Sequence, residues 1–254
     1  MLHIWVFSVI FAIYILVYYG YSLMTSQPEA WNSLLGGLYR QGEWIPNIGI
    51  ALHFLSGAII LVIGPFQLFG SLRKKYPDLH KITGKIYTLC AFMLGVGGLL
   101  YILIRGTSGG LWMNIGFGLS GVLTIWFAIM TAYYGIKRQP KLHRPWALRL
   151  FCVCIGPFLY RIEYALWAVL NGGVLVGHNQ TWDGWFDLVM NFGYYVPNLI
   201  LCELYIRKNS LITNLKNNQQ SGYKAFRRAL IAMLWVGGIF TAWKWWYRQL
   251  EQLF

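Results

Sequence analysis

Apolar residues along this chain gather into seven long runs separated by short polar segments. The runs cover roughly residues 2–24, 47–70, 82–104, 112–136, 146–170, 185–206 and 227–247. A helix rises about 1.5 Å per residue, so a run of about 20 residues crosses a hydrocarbon core about 30 Å thick. The pattern predicts an all-α fold: a polytopic transmembrane bundle of about seven spans, forming a single integral membrane domain over residues 1–254. The first run has no basic leader and no small-residue cleavage site. It is also longer than the core of a signal peptide, so it reads as a retained span.

Composition sharpens this picture. Hydrophobic residues make up 57% of the 254 positions and charged residues only 11%, too few charges to cover a soluble surface. Lys and Arg number 21 against 8 Asp and Glu, for a net charge of +13. Fourteen of these bases lie in three alternate connections: Arg73/Lys74/Lys75/Lys81, Lys137/Arg138/Lys141/Arg144, and Arg207/Lys208/Lys216/Lys224/Arg227/Arg228. The positive-inside rule then predicts an inner-membrane protein with a cytoplasmic N-terminus and an external C-terminus. Basic residues confined to such loops point to topology and anionic lipid, not to nucleic acid. Many of the Trp and Tyr residues sit near span ends as an aromatic belt. Cys90, Cys152, Cys154 and Cys202 all fall within apolar runs and form neither a disulfide framework nor a zinc spacing. The connection Thr25–Pro46 is long, and Glu29–Tyr39 is amphipathic enough to lie along the outer interface as a short helix. The chain carries no nucleotide site and no hydrolytic triad.

Ionisable groups inside a membrane are costly, and that makes them the place to look for function. His53 lies in the second span, His80 at the inner mouth of the third and His143 at the inner mouth of the fifth. At about 100° per residue, Gly57, Gly64 and Gln67 fall within about 40° of His53. Gly84, Tyr87 and Gly98 fall within about 40° of His80 in the same way. A histidine above glycines on one face supplies a ligand or a hydrogen bond, and the missing side chains leave a slot. Either a flat macrocycle such as haem or a neighbouring helix can fill that slot. The sixth span carries a polar stripe, Asp187, Asn191, Tyr194 and Asn198. The fifth span carries Arg149, Arg161 and Glu163. Arg161 and Glu163 lie about 200° apart and cannot pair with each other on one face, so Asp187 is the expected partner of Arg161. Such a pair would fix bundle geometry, or with His53 form an anion site in the outer half. Lys244, at the outer end of the last span, snorkels.

These residues resemble a family. His53-x3-Gly57, then Gly64-Pro65-Phe66-Gln67, a basic loop and Leu79-His80-x3-Gly84-x2-Tyr87 resemble an uncharacterised bacterial family of predicted membrane proteins. His143-Arg144-x-Trp146-x2-Arg149 followed by Arg161 is similar to its later signature, with Ala147 where methionine is expected. More distantly, the order of the second and third spans is similar to transmembrane b-type di-haem cytochromes that pass electrons to ferric iron. By that likeness His53 and His80 correspond to axial haem ligands. The fourth span has no histidine, so His143 would complete an inner pair with His80, and one haem is expected in preference to two. His178 is a weaker candidate to complete an outer pair with His53.

The resemblance implies a haem-b electron-transfer protein, akin to a ferric or quinone reductase, exchanging electrons with a donor and an acceptor. His53, His80 and His143 would be the iron ligands, with Gln67, Tyr87, Arg149 and Arg161 around the haem and the arginines neutralising its propionates. Two other readings stand beside it. One is a cofactor-free binding or transport protein using His53, Arg161, Glu163 and Asp187 as an outer polar cavity for a small anion or proton-coupled solute. The other is a structural or assembly subunit.

Overall fold

The computed structural model describes residues 2–33, 36–211 and 220–251, and the side chains of all of these save 208–211 and 220–225. Among the described residues every regular element is helical. Helix α1 occupies Leu2–Met24, with a π-helical stretch at Leu16–Gly20. It is followed by α2 at Trp44–Gln67, α3 at Pro77–Arg105 and α4 at Gly110–Ile136. Helices α5 (Pro140–Cys154) and α6 (Gly156–Leu170) meet at a bend of 43° and together are long and apolar enough to cross a membrane. The bend falls at Ile155-Gly156-Pro157, where proline has no N–H to continue the ladder and its ring crowds the preceding turn. Helices α7 (Trp185–Gly193) and α8 (Val196–Leu211) are interrupted at Tyr194–Tyr195. Helix α9 runs over Gln220–Thr241 and ends in a second π-helical stretch at Ala242–Tyr247.

All seven apolar runs coincide with helical segments. Five helices are individually long and apolar enough to cross a membrane, six counting the bent pair as one span. The interrupted α7–α8 pair occupies the remaining run, 185–206. The connection Thr25–Pro46 departs from expectation: its helical part is a single 3-10 stretch, Pro28–Ser33, not a helix over 29–39. Asn32 fixes the turn that follows by exchanging hydrogen bonds with Tyr39 through both side-chain atoms. Of the third basic connection, Lys216 lies outside the described residues and the side chains of Lys208 and Lys224 are not described.

Successive helices pack side by side from α1 to α5, and α9 closes the ring by lying against both α6 and α1. Helices α7 and α8 pack outside it, on α4 and α5. Large apolar side chains point outward along the ring, among them Leu55, Ile59, Leu89, Leu119, Val122 and Ile129. A continuous exposed apolar surface of this kind is suited to lipid.

The tightest seam joins α2 and α3, and glycine accounts for it. A Cβ on Gly97 would lie 2.4 Å from the carbonyl oxygen of Gly49, and one on Gly49 would lie 2.9 Å from that of Gly97. Only hydrogen fits there, so the backbones touch. Further along, the seam keeps a strict antiparallel register. His53 meets Gly98, Gly57 meets Leu94, Gly64 meets the Tyr87 ring and Gln67 meets Gly84. The two faces singled out by helical spacing are therefore opposite sides of one interface.

Candidate functional site

His53 sits in this seam. Its Nδ1 lies 3.0 Å from the carbonyl oxygen of Leu94, and its ring stands over Gly98, where a Cβ would come within 2.8 Å of Nδ1. The glycines that left a slot beside it are filled by α3. Gln67 donates from Nε2 to the Thr83 hydroxyl at 2.5 Å, and the Tyr87 ring is buried against Gly64. His53, Gln67 and Tyr87 thus share one packed interface.

At the end of the bundle that carries His143 the geometry differs. His143, three residues into α5, lies with Nδ1 3.0 Å from the carbonyl oxygen of Thr131 on α4. Gly135, one turn on, makes room for the ring, since a Cβ there would lie 3.2 Å from Nδ1. With Nδ1 carrying the proton, Nε2 is a free lone pair. Metal-ligating histidines are commonly oriented in this way. The Thr131 hydroxyl is buried without a hydrogen-bond partner among the described residues. His80 is half-buried in the first turn of α3, at the same end of the bundle as His143 in the first turn of α5. The pair foreseen from sequence therefore shares one end of the bundle. Among the described residues no group of three or more His, Cys, Asp or Glu could hold a metal ion by itself.

The two arginines go elsewhere. Arg149 donates from Nε and an Nη to one oxygen of Glu203 on α8, at 3.1 and 2.7 Å, and stacks 4.7 Å over Trp146. Its charge is engaged by that carboxylate, a partner sequence spacing did not indicate. Arg161 lies eighteen residues beyond His143 along the bent α5–α6 span, about 27 Å by helix rise. It and the His80–His143 mouth are therefore at different depths.

The expected pairing of Arg161 with Asp187 does not form. Asp187 is fully buried and already has four donors. It takes the Tyr164 hydroxyl at 2.6 Å, His178 Nδ1 at 2.8 Å, and the backbone N–H groups of Asn179 and Gly184 at 3.3 and 3.1 Å. The last of these ties the N-cap residue of α7 to Asp187 in its first turn. Tyr160 in turn donates to Tyr164 at 3.1 Å. His178, the suggested outer partner of His53, is thus tied to α6 and α7, while His53 belongs to the α2–α3 seam. Nearby, the Thr181 hydroxyl and the Asn179 amide hold the Asp183 carboxyl below the usual carboxylate range.

Arg161 donates one hydrogen bond, to the Pro157 carbonyl at 2.6 Å, and stands 4.6 Å over the Phe11 ring of α1. It enters none of the ion pairs among the described residues. A cation at mid-membrane costs about 2.5–3.5 kcal/mol on insertion scales; among the described residues Arg161 has no counter-charge, and Oε2 of Glu163, two residues on, is buried without a hydrogen-bond partner. The aromatic shell around it was missed from sequence because the belt reading took most Tyr and Trp residues as interfacial anchors. Clustering of Phe11, Tyr14 and Tyr18 at helical spacing on the first span was the available signal.

A family model described as a predicted membrane protein (DUF2306) matches residues 50–206. No curated protein and no solved structure matches the chain.

Proposed function

The chain belongs to that family of predicted membrane proteins, and from this premise we propose that it is a membrane electron-transfer protein with one haem b at its inner mouth, held by His80 and His143. The supporting observation is His143 itself. Thr131 and Gly135 fix its ring with Nε2 unused, and His80 lies at the same end of the bundle. Two imidazoles are the donor set of a bis-histidine haem. At the α2–α3 seam the fit fails, because the facing helix occupies the space beside His53. A haem b in this position supplies one-electron chemistry of the kind that reduces ferric iron or exchanges electrons with quinone. The residues' own contribution is to set the imidazole's tautomer and to exclude water with Leu150 and Val153 in the buried wall behind the mouth.

The test is the spectrum of the protein purified in mild detergent. A Soret band and a b-type pyridine haemochrome at about one haem per chain are expected, lost in His80→Ala and in His143→Ala and kept in His53→Ala. A colourless protein from haem-replete cells, with no gain on adding hemin, sinks the proposal. So does a spectrum insensitive to both inner histidines.

The same reading sets the orientation. The basic connections 71–81, 137–144 and 207–228 face the cytoplasm of an inner membrane, the N-terminus lies inside and the C-terminus outside. A cysteine replacing Lys141 is expected to stay unlabelled by an impermeant thiol reagent added to intact cells. Labelling from outside reverses the assignment.

A second reading, a cofactor-free membrane protein that binds a solute in its outer half, is favoured by a different observation: the uncompensated charge of Arg161. The two readings use residues about 27 Å apart along one span and are tested separately.

A further inference from the structure

Arg161 lies nine residues before the outer end of α6 at Leu170, about 14 Å below it by helix rise. Guanidinium offers five N–H donors, and one hydrogen bond, to Pro157, is made among the described residues. Its surroundings supply aromatic rings instead of a carboxylate. Phe11, Tyr14 and Trp246 are buried and stacked on one another, Phe11 on Trp246 at 4.8 Å and Tyr14 on Trp246 at 5.7 Å.

The backbone is unusual at the same place. The two π-helical stretches, Leu16–Gly20 on α1 and Ala242–Tyr247 on the last span, flank this aromatic stack and contribute Tyr19 and Trp246 to it. π-Turns are rare within helices and gather at functional sites, and here two of them adjoin one unpaired cation. The Tyr14 hydroxyl bonds Gln249 across the gap at 2.5 Å, so the two spans are held together beside it. Nearby acids are not available as partners. Asp187 is saturated, and Glu163 projects from the opposite face of α6.

We infer that Arg161 receives the anionic headgroup, a carboxylate or a phosphate, of an amphipathic molecule whose apolar part lies in the surrounding hydrocarbon. The planar fork of arginine suits either oxyanion bidentately, and an outside anion supplies the counter-charge the fold withholds. This rests on the second reading above and names its ligand.

The experiment is saturable quenching of tryptophan fluorescence in phosphatidylcholine nanodiscs. The probes are a brominated long-chain fatty acid, the brominated alcohol of equal length and a brominated alkyl phosphate, with inorganic phosphate as competitor. Saturable quenching by the acid or the alkyl phosphate but not the alcohol is expected. It should lose most of its amplitude in Trp246→Phe, weaken at least about tenfold in Arg161→Gln and weaken less in Arg161→Lys. Competition by millimolar inorganic phosphate identifies a free anion as sufficient; its failure identifies the tailed molecule as the ligand. Equal saturable quenching by acid and alcohol overturns the anion assignment while leaving a binding site. No saturable quenching by any probe overturns both. If Arg161→Gln does not fold, the wild-type contrast between acid and alcohol and the Arg161→Lys affinity still decide the matter.

Discussion

The α2–α3 seam around His53 and the aromatic stack around Arg161 start from similar material: one ionisable side chain inside an apolar helix. They end differently. At the seam every small residue is matched by something on the facing helix, and the imidazole is bonded to a backbone carbonyl. At the stack the facing spans bring flat rings and two π-turns, and among the described residues most of the guanidinium's donors find no acceptor. Whether a polar residue in a membrane helix is structural or functional thus depends on what the opposite helix offers it. A close backbone with a free carbonyl satisfies a histidine, whereas a wall of rings satisfies only part of an arginine.

The comparison is most sharply broken by overfilling the seam. Gly97→Leu forces a side chain into the Gly49 backbone, which cannot yield as a flexible side chain would. Overpacking costs about 1–3 kcal/mol in ordinary cores and more where backbone is struck, so loss of folded, monodisperse protein is expected. Gly118→Leu, where a Cβ meets only Leu99 at 3.9 Å, is expected to keep its melting temperature. Equal tolerance at both positions would mean the seam is not closely packed.

A smaller effect concerns the separateness of Arg161 and Asp187. Asp187→Ala strands the Tyr164 hydroxyl, His178 and two backbone N–H groups, at about 1–3 kcal/mol for a buried donor left unpaired. A fall of several degrees in melting temperature is expected. Combined with Arg161→Ala, the losses are expected to add within about 0.5 kcal/mol, as for sites without a shared partner. A clear rescue in the double variant would restore the ion pair that sequence suggested.

Much of the fold was legible because its signal is local. Runs such as 47–70 and 82–104 need only be apolar and long enough, and the bilayer supplies the rest. The faces carrying His53–Gly57–Gly64–Gln67 and His80–Gly84–Tyr87–Gly98 were likewise readable, since helical spacing is a property of one chain segment. That these faces are filled by one another was not readable, because register between helices is set by contacts distant in sequence. The same limit hid the Arg149–Glu203 pair and sent Asp187 to His178 and Tyr164 in place of Arg161.

Sequence alone determined that this chain is a helical membrane protein, where its long apolar helices lie and which few ionisable residues they carry. Each follows from the cost of exposing polar backbone or charge to hydrocarbon, a cost every residue incurs wherever its neighbours are. Only the tertiary structure decided which of those residues are satisfied within the protein. It brought the Leu94 carbonyl to His53 and the Thr131 carbonyl to His143, and it surrounded Arg161 with aromatic rings and gave it no carboxylate. Hydrogen bonds and ion pairs act over a few ångströms, so their partners are fixed when helices pack and not when they form.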